Sequence, residues 1–173
     1  MDAFLDLSLD EDLQTCFIAI DRNNNPATQK HLLGSQFTVI GTSDGGGRPH
    51  TADRHETSTN LLGHWVREQQ VMPLEEAVYR LTGKTALMHD ITDRGFIAAG
   101  KVADITIFDP DTIASKPREP VATLPAGGVQ VKREAVGIDH VVVNGTVLLE
   151  NGQLTGALPG QIIRGPLYQA NSA

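Results

Sequence analysis

Two apolar, largely β-branched runs face each other across an Asn-Gly pair in His140-Val141-Val142-Val143-Asn144-Gly145-Thr146-Val147-Leu148-Leu149. A two-residue hairpin loop of type I′ needs positive φ at both central positions, and Asn followed by Gly meets that need at least steric cost. A tight antiparallel hairpin is therefore expected here. Upstream, Ile105-Thr106-Ile107-Phe108 alternates and Asp109-Pro110-Asp111 turns the chain, so the sequence from Asp93 onward reads as β territory. Between these signals, Ser115 to Arg133 is rich in Pro, Gly, Lys and Arg and reads as a long connection.

The first half carries a different period. Asp2 to Leu9, with Phe4, Leu5, Leu7 and Leu9, reads as a short helix. Asn25 is suited to cap free N–H groups, Pro26 suits a first helical position and Gly34 a stop, which predicts a helix from Pro26 to about Leu33. Phe37-Thr38-Val39-Ile40-Gly41-Thr42 is apolar without alternation, as in a strand buried on both faces, and Ser43-Asp44-Gly45-Gly46-Gly47 ends it. A helix follows over Thr59 to Gln69, with Leu61, Leu62, Trp65 and Val66 on one face. Another begins at Pro73, with Glu75 and Glu76 in its first turn and Gly83 as its stop. Helix, buried strand, glycine-rich loop and helix in that order make one α/β unit.

Composition narrows the partners. With 40% hydrophobic and 20% charged residues, the 173-residue chain is ordinary for a globular protein. A net charge of −7 and no basic stripe argue against nucleic acid. No apolar run approaches the ~20 residues that span a bilayer, and the start is acidic where a signal peptide is basic, so no membrane and a cytoplasmic location are expected. The one cysteine, Cys16, has no Cys/His constellation beside it and reads as a part-buried thiol.

Asp44 stands just past the C-terminal end of the expected strand, with three glycines behind it that admit close approach of a substrate. Asp-Gly is also a common turn, and position alone does not choose between the two. His50, Asp53, Arg54 and His55 crowd the following loop. A catalytic zinc wants three protein ligands, two of them usually paired at a recognisable spacing, and the chain has no His-x-His, His-x-Asp or His-Glu-x-x-His. Substrate contact through Arg54 and His50 is the better reading, since a guanidinium makes two parallel hydrogen bonds to a carboxylate. A solvated surface arginine is the alternative. His64 beside Trp65 reads as packed or solvent-facing; His31, His89 and His140 have no partners in sequence. Ser43 lacks a nucleophile elbow, and the glycines match neither phosphate-loop pattern.

Taken in order, Thr-Val-Ile-Gly-Thr-Ser-Asp-Gly-Gly (38–46), Gly-His-Trp-Val-Arg-Glu (63–68), Leu-Glu-Glu-Ala-Val-Tyr-Arg-Leu-Thr (74–82), residues 93–110, His-Val-Val-Val-Asn-Gly (140–145) and Thr-Gly-Ala-Leu-Pro-Gly (155–160) resemble the amidohydrolase superfamily, closest to its N-acyl-D-amino-acid deacylase branch. The resemblance implies an α/β fold: the C-terminal fragment of a metal-dependent (β/α)8 barrel over 1–92, then strands of a small β-sandwich domain over 93–165, with a tail at 166–173. It implies that Asp44 matches an aspartate on the eighth strand that binds metal, zinc in expectation, and activates the attacking water. It places Arg54 near an arginine that holds the substrate carboxylate in some relatives, although the surrounding Asp-Arg-His-Glu-Thr departs from their pattern. The substrate expected is a small amide of the N-acyl-D-amino-acid kind.

A (β/α)8 barrel needs ~250 residues, and at most two of its strands have counterparts here. The family's early-strand metal ligands have none, so the chain is expected to be inactive alone, with zinc not held stably, and to associate through an exposed barrel edge. Truncation of a longer gene product is the first explanation; the alternative is a noncatalytic or complementing subunit that docks on a separately encoded barrel half.

Overall fold

Capping chemistry places the first helices. In the computed structural model, whose described residues are 2–15, 25–41 and 56–165, Asn25 accepts from the backbone N–H groups of Ala27 at 3.0 Å and Thr28 at 3.2 Å through its Oδ1. Helix α2 (Pro26–Gly34) follows as expected; α1 is Asp2–Asp10. The chain divides into two units, Met1–Leu32 and Leu33–Ala173. In the first, Ser8 Oγ closes back on the Phe4 carbonyl at 2.8 Å, and Phe4, Leu5, Leu7 and Leu9 stay exposed.

The second unit holds the core. Helix α3 (Thr57–Asn60) runs on as a π-helix over Leu61–Glu68, with the Gln69 N–H bonded to the His64 carbonyl at 2.9 Å. Helix α4 (Leu74–Leu81) presents Ala77 inward. Gly83 is not its stop: Thr82 leaves helical geometry at φ −121°, ψ −87°, and Gly83 opens α5 (Gly83–Met88). Thr82 Oγ1 donates to the Val78 carbonyl at 2.7 Å, and its own carbonyl accepts from the Ala86 N–H at 2.9 Å, so one residue ends a helix and starts the next. The absence of a side chain at Gly83 leaves room for the Phe96 ring, to which a Cβ there would come within 2.5 Å.

The strands are β1 (Ile105–Phe108), β2 (Ala114–Ser115), β3 (Glu119–Val121), β4 (Gln130–Lys132), β5 (Ala135–Val136), β6 (Ile138–Val143), β7 (Thr146–Glu150) and β8 (Gln153–Leu154). A four-stranded sheet has the order β1-β6-β7-β8, and β2-β5 and β3-β4 form two-stranded pairs; every pairing among the described residues is antiparallel. The hairpin at Asn144-Gly145 is as expected, with φ of 48° and 77° and Val143 opposite Thr146. Asn151-Gly152, at 49° and 74°, repeats the device between β7 and β8.

Two expectations are corrected. Residues 37–41 form no strand: Phe37 is 90% exposed, and Lys84 Nζ, not a neighbouring strand, donates to the Gln36 and Thr38 carbonyls at 2.8 and 2.9 Å. A strand of that composition needs ladder partners on both sides, and the described residues offer none. Ser115 to Arg133 is not a bare connection either, since β3 and β4 pair as a hairpin whose tip carries Ala126 and Gly127 at φ of 58° and 75°.

The buried centre is Leu61, Leu62, Val66, Met72, Ala77 and Ile113, with Leu33, Ile40, Trp65, Phe108 and Ile138 packed against it. Gly63 lets the π-helix lie on the backbone of Ile113, where a Cβ would come within 2.5 Å of the Ile113 oxygen. Gly137, at φ +77°, presses from the other side, 2.6 Å from the Ile113 nitrogen by the same measure. Helices and strands therefore share one core around Ile113.

Exposed ion pairs tie the β segments. Arg94 bridges Asp93 and Asp104, and Asp104 Oδ1 accepts from the Asn144 N–H at 2.7 Å, which fastens the hairpin tip. The Arg94 guanidinium holds the Asp93 carboxyl below its ordinary range, Lys116 does the same for Glu134, and the Asp111 backbone N–H does so for Asp109. A carboxyl depressed in the folded state contributes stability above its unfolded pKa and loses it as pH falls through the folded value. The urea midpoint is therefore expected to fall as pH drops through and below the carboxylate range. Asp93→Asn with Glu134→Gln should flatten that dependence, measured by urea titration across an acid pH series.

Candidate functional site

Asp44, His50 and Arg54, with Asp53 and His55, lie outside the described residues. The shoulders on either side of them are described. Upstream, Arg80 reaches from α4 and donates through Nη1 to the Leu33 carbonyl at 2.7 Å and the Ser35 carbonyl at 2.8 Å, while Nε meets Glu76 Oε1 at 2.5 Å. Together with Lys84 one turn later, it fixes the backbone from 33 to 38. Arg80 is 3% exposed and Ile40 packs on the core.

Downstream, Glu56 stands before α3, and its Oε2 lies 2.5 Å from Arg133 Nη1 beside β4. Thr59 Oγ1 and Ser115 Oγ share a hydrogen bond of 2.6 Å, and Arg67 Nη1 donates to the Ile113 carbonyl at 2.7 Å. These contacts hold the start of the helix against the β segments.

The histidines are scattered. His64 pairs with Glu68 at 2.8 Å and meets Trp65 edge-on, with ring centroids 4.9 Å apart, so it is a surface residue packed on its neighbour. His31 and His89 are exposed, and His140 lies on β6 opposite Glu150. Among the described residues no three His, Cys, Asp or Glu side chains gather as a metal requires. By themselves those residues do not fit a zinc ion. Nor is any helix among them long and apolar enough to cross a membrane.

Arg80, Lys84, Glu56 and Arg133 were not singled out by sequence. For Arg80 a signal existed, because it sits three residues after Ala77 on the apolar stripe of α4, where a charge must find partners. For the others the partners are backbone or side chains far away in sequence, and no local pattern marks them.

A model of the Amidohydrolase family matches residues 2–149. The chain belongs to this family. Among curated relatives, a D-aminoacylase of Alcaligenes xylosoxydans xylosoxydans is 33% identical over 144 residues, covering 81% of this chain and 27% of the relative. An N-acyl-D-glutamate deacylase of the same organism is 33% identical over 152 residues, covering 86% of this chain and 28% of the relative. This amidohydrolase chain thus spans about a quarter of the length of the curated relatives it matches. Among solved structures, the N-acyl-D-glutamate deacylase from Bordetella bronchiseptica, complexed with zinc and a phosphonate inhibitor, is 35% identical with a TM-score of 0.44, over 62% of this chain and 20% of that one. The mixed helices and sheets accord with the α/β class of the family.

Proposed function

We propose that this chain supplies the C-terminal part of a metal-dependent amidohydrolase that hydrolyses the non-peptide C–N bond of N-acyl-D-amino-acid-like substrates, and that alone it does not turn over. The observation carrying this reading is the family match across residues 2–149 together with about one-third identity to D-amino-acid deacylases. In it, residues 1–92 are the last strand and helix units of a (β/α)8 barrel, 93–165 a β-sandwich segment, and 166–173 a tail. In this reading the remaining barrel strands lie in the rest of the enzyme.

Asp44 is the proposed catalytic carboxylate. It takes a proton from the attacking water and passes it to the leaving amine. Arg54 and His50 are the proposed contacts to the substrate carboxylate, Arg54 through its two-pronged guanidinium. In the complete enzyme Asp44 would be one ligand of a zinc ion whose other ligands lie outside this chain, and such an ion would supply a water of lowered pKa and polarisation of the amide carbonyl. The single cysteine, which excludes an internal disulfide, accords with the cytoplasmic location that is part of the proposal.

One observation supports the second reading, of a complementing subunit docked on a separately encoded barrel half. Among the described residues nineteen large apolar side chains are exposed against seven buried apolar ones, Ile97, Leu158 and Ile162 among the most open. In this reading part of that apolar surface is covered by the docked half.

The purified chain, given zinc and N-acyl-D-amino acids, is expected to release no amine. Supplied with a barrel-bearing segment of the enzyme it should gain the activity, and Asp44→Asn in this chain should abolish it. Hydrolysis by the unaided chain with its own bound ion would overturn the reading.

A further inference from the structure

Two Asn-Gly steps occur in the chain, Asn144-Gly145 and Asn151-Gly152. Asparagine is a thermolabile residue, and a following glycine, with no Cβ in the way, lets its backbone nitrogen reach the asparagine Cγ. The two steps form turns of the same shape, with φ of 48° and 77° at the first and 49° and 74° at the second. In both, the glycine N–H is engaged, Gly145 with the Ala103 carbonyl and Gly152 with the Asp139 carbonyl, each at 3.0 Å. A nitrogen so held does not attack. Reaction at either step therefore goes through local opening of its turn, and the ease of opening decides which asparagine reacts.

The turns differ in what holds them shut. Asn144 is half-buried; its Nδ2 donates to the Pro159 carbonyl at 2.6 Å and its backbone N–H to Asp104 Oδ1 at 2.7 Å, and Arg94 in turn holds Asp104. The strands on either side of it, β6 and β7, pair over four positions. Asn151 is exposed, and its side-chain amide makes no hydrogen bond among the described residues. The arm beyond it, β8, is two exposed residues long and pairs at Leu149↔Leu154 and Glu150↔Gln153. An arm so short opens at little cost.

We infer that Asn151 is a site of spontaneous deamidation, and that the Asn144 turn, of the same sequence and backbone shape, is protected by its contacts to Pro159 and Asp104. Once the turn opens, the Gly152 nitrogen loses its proton and bonds to Asn151 Cγ. The Cγ–Nδ2 bond breaks, and the amide nitrogen takes up a proton and leaves as ammonia. The five-membered imide then adds water at one or the other carbonyl and opens to aspartate or isoaspartate. Either product sets a carboxylate beside Glu150, and isoaspartate also lengthens the backbone of the turn by one methylene. That added length disturbs the Leu149↔Leu154 register and the bonds from Thr155 to the Leu148 and Val147 carbonyls.

The test ages the whole 173-residue chain in mildly alkaline buffer and then cuts it after glutamate, which separates residues 135–150 from 151–173. Mass spectrometry with fragmentation scores each asparagine, so that Asn171 in the second piece is not counted as Asn151. In the folded chain Asn151 is expected to convert about tenfold faster than Asn144, giving aspartyl and isoaspartyl forms that elute apart. In urea, where neither turn persists, the two rates should agree within about twofold. Asp104→Ala, which removes the acceptor of the Asn144 N–H, should speed conversion of Asn144 severalfold and leave Asn151 as it was. Equal rates in the folded chain, a gap that persists in urea, or an Asn144 rate unmoved by Asp104→Ala would each overturn the inference.

Discussion

Replacing Ile113 with alanine is expected to lower the unfolding free energy by about 2–5 kcal/mol, the range for removing a buried aliphatic side chain. The upper half of that range is expected, for a geometric reason. The cost of a large-to-small change depends on how far the surroundings collapse into the space. Here the backbone of Ile113 is held in place: Gly63 lies against its oxygen and Gly137 against its nitrogen, each so near that a Cβ would come within 2.5 and 2.6 Å. Arg67 Nη1 takes the same carbonyl at 2.7 Å, and the Ile113 N–H donates to the Asp109 carbonyl at 2.9 Å. Neither side is free to close the gap.

Ile113 is also 2% exposed and belongs to a centre of six side chains, so few other contacts share the load. Against a typical total of about 5–15 kcal/mol, a loss of this size moves the midpoint far. Trp65, the only tryptophan, packs against that centre and reports the transition by fluorescence in urea. Ile113→Val should cost about 0.5–1.5 kcal/mol, and Ile107→Ala, at a site 49% exposed, much less than Ile113→Ala. Equal midpoints for Ile113→Ala and Ile107→Ala would mean that helices and strands do not share a core.

The local elements were legible where one residue type answers one geometric need. Asn25 before Pro26 and Asn144 before Gly145 were both readable for this reason, since cap and turn chemistry depend on nearest neighbours alone. Asn151-Gly152 obeys the same rule and could have been read from it. Residues 37–41 depart from the expected strand because their composition speaks of burial on two faces, and burial is a property of what surrounds a strand. With Phe37 90% exposed, the surroundings that such a sequence suits are absent from the described residues. The long stretch 115–133 hid its hairpin because the tip uses Ala126 at φ 58° where a sequence reader looks for Asn or Gly. For the site, type and order of residues gave the family, but the contacts at its shoulders were beyond reach, because Arg133 to Glu56 and Lys84 to the Thr38 carbonyl are matters of tertiary placement.

Arg80→Ala is the second change expected to be severe, costing about 1–3 kcal/mol by leaving two half-buried carbonyls without their donor. Its side chain is 4% exposed and serves three acceptors: Glu76 Oε1 and the carbonyls of Leu33 and Ser35. The carbonyls matter more than the carboxylate. Glu76 is 39% exposed and turns to water when its partner is lost, whereas the Leu33 carbonyl, in the last turn of α2, has no intrahelical donor to replace the one removed. A cation at this end of a helix is also favoured by the helix dipole. Arg80→Lys retains the charge but not the fork, and one ammonium on a flexible stem does not reach Glu76 and two carbonyls together, so it should restore only part of the loss. Urea titrations of Arg80→Ala, Arg80→Lys and Glu76→Gln check this order, with Glu76→Gln the mildest. A Glu76→Gln effect as large as that of Arg80→Ala would place the weight on the ion pair and sink the argument from the carbonyls. Amide exchange supplies an independent measure. Loss of Arg80 should speed exchange in residues 35–41 before it speeds exchange in α4, because the segment leading toward Asp44 is what the guanidinium holds.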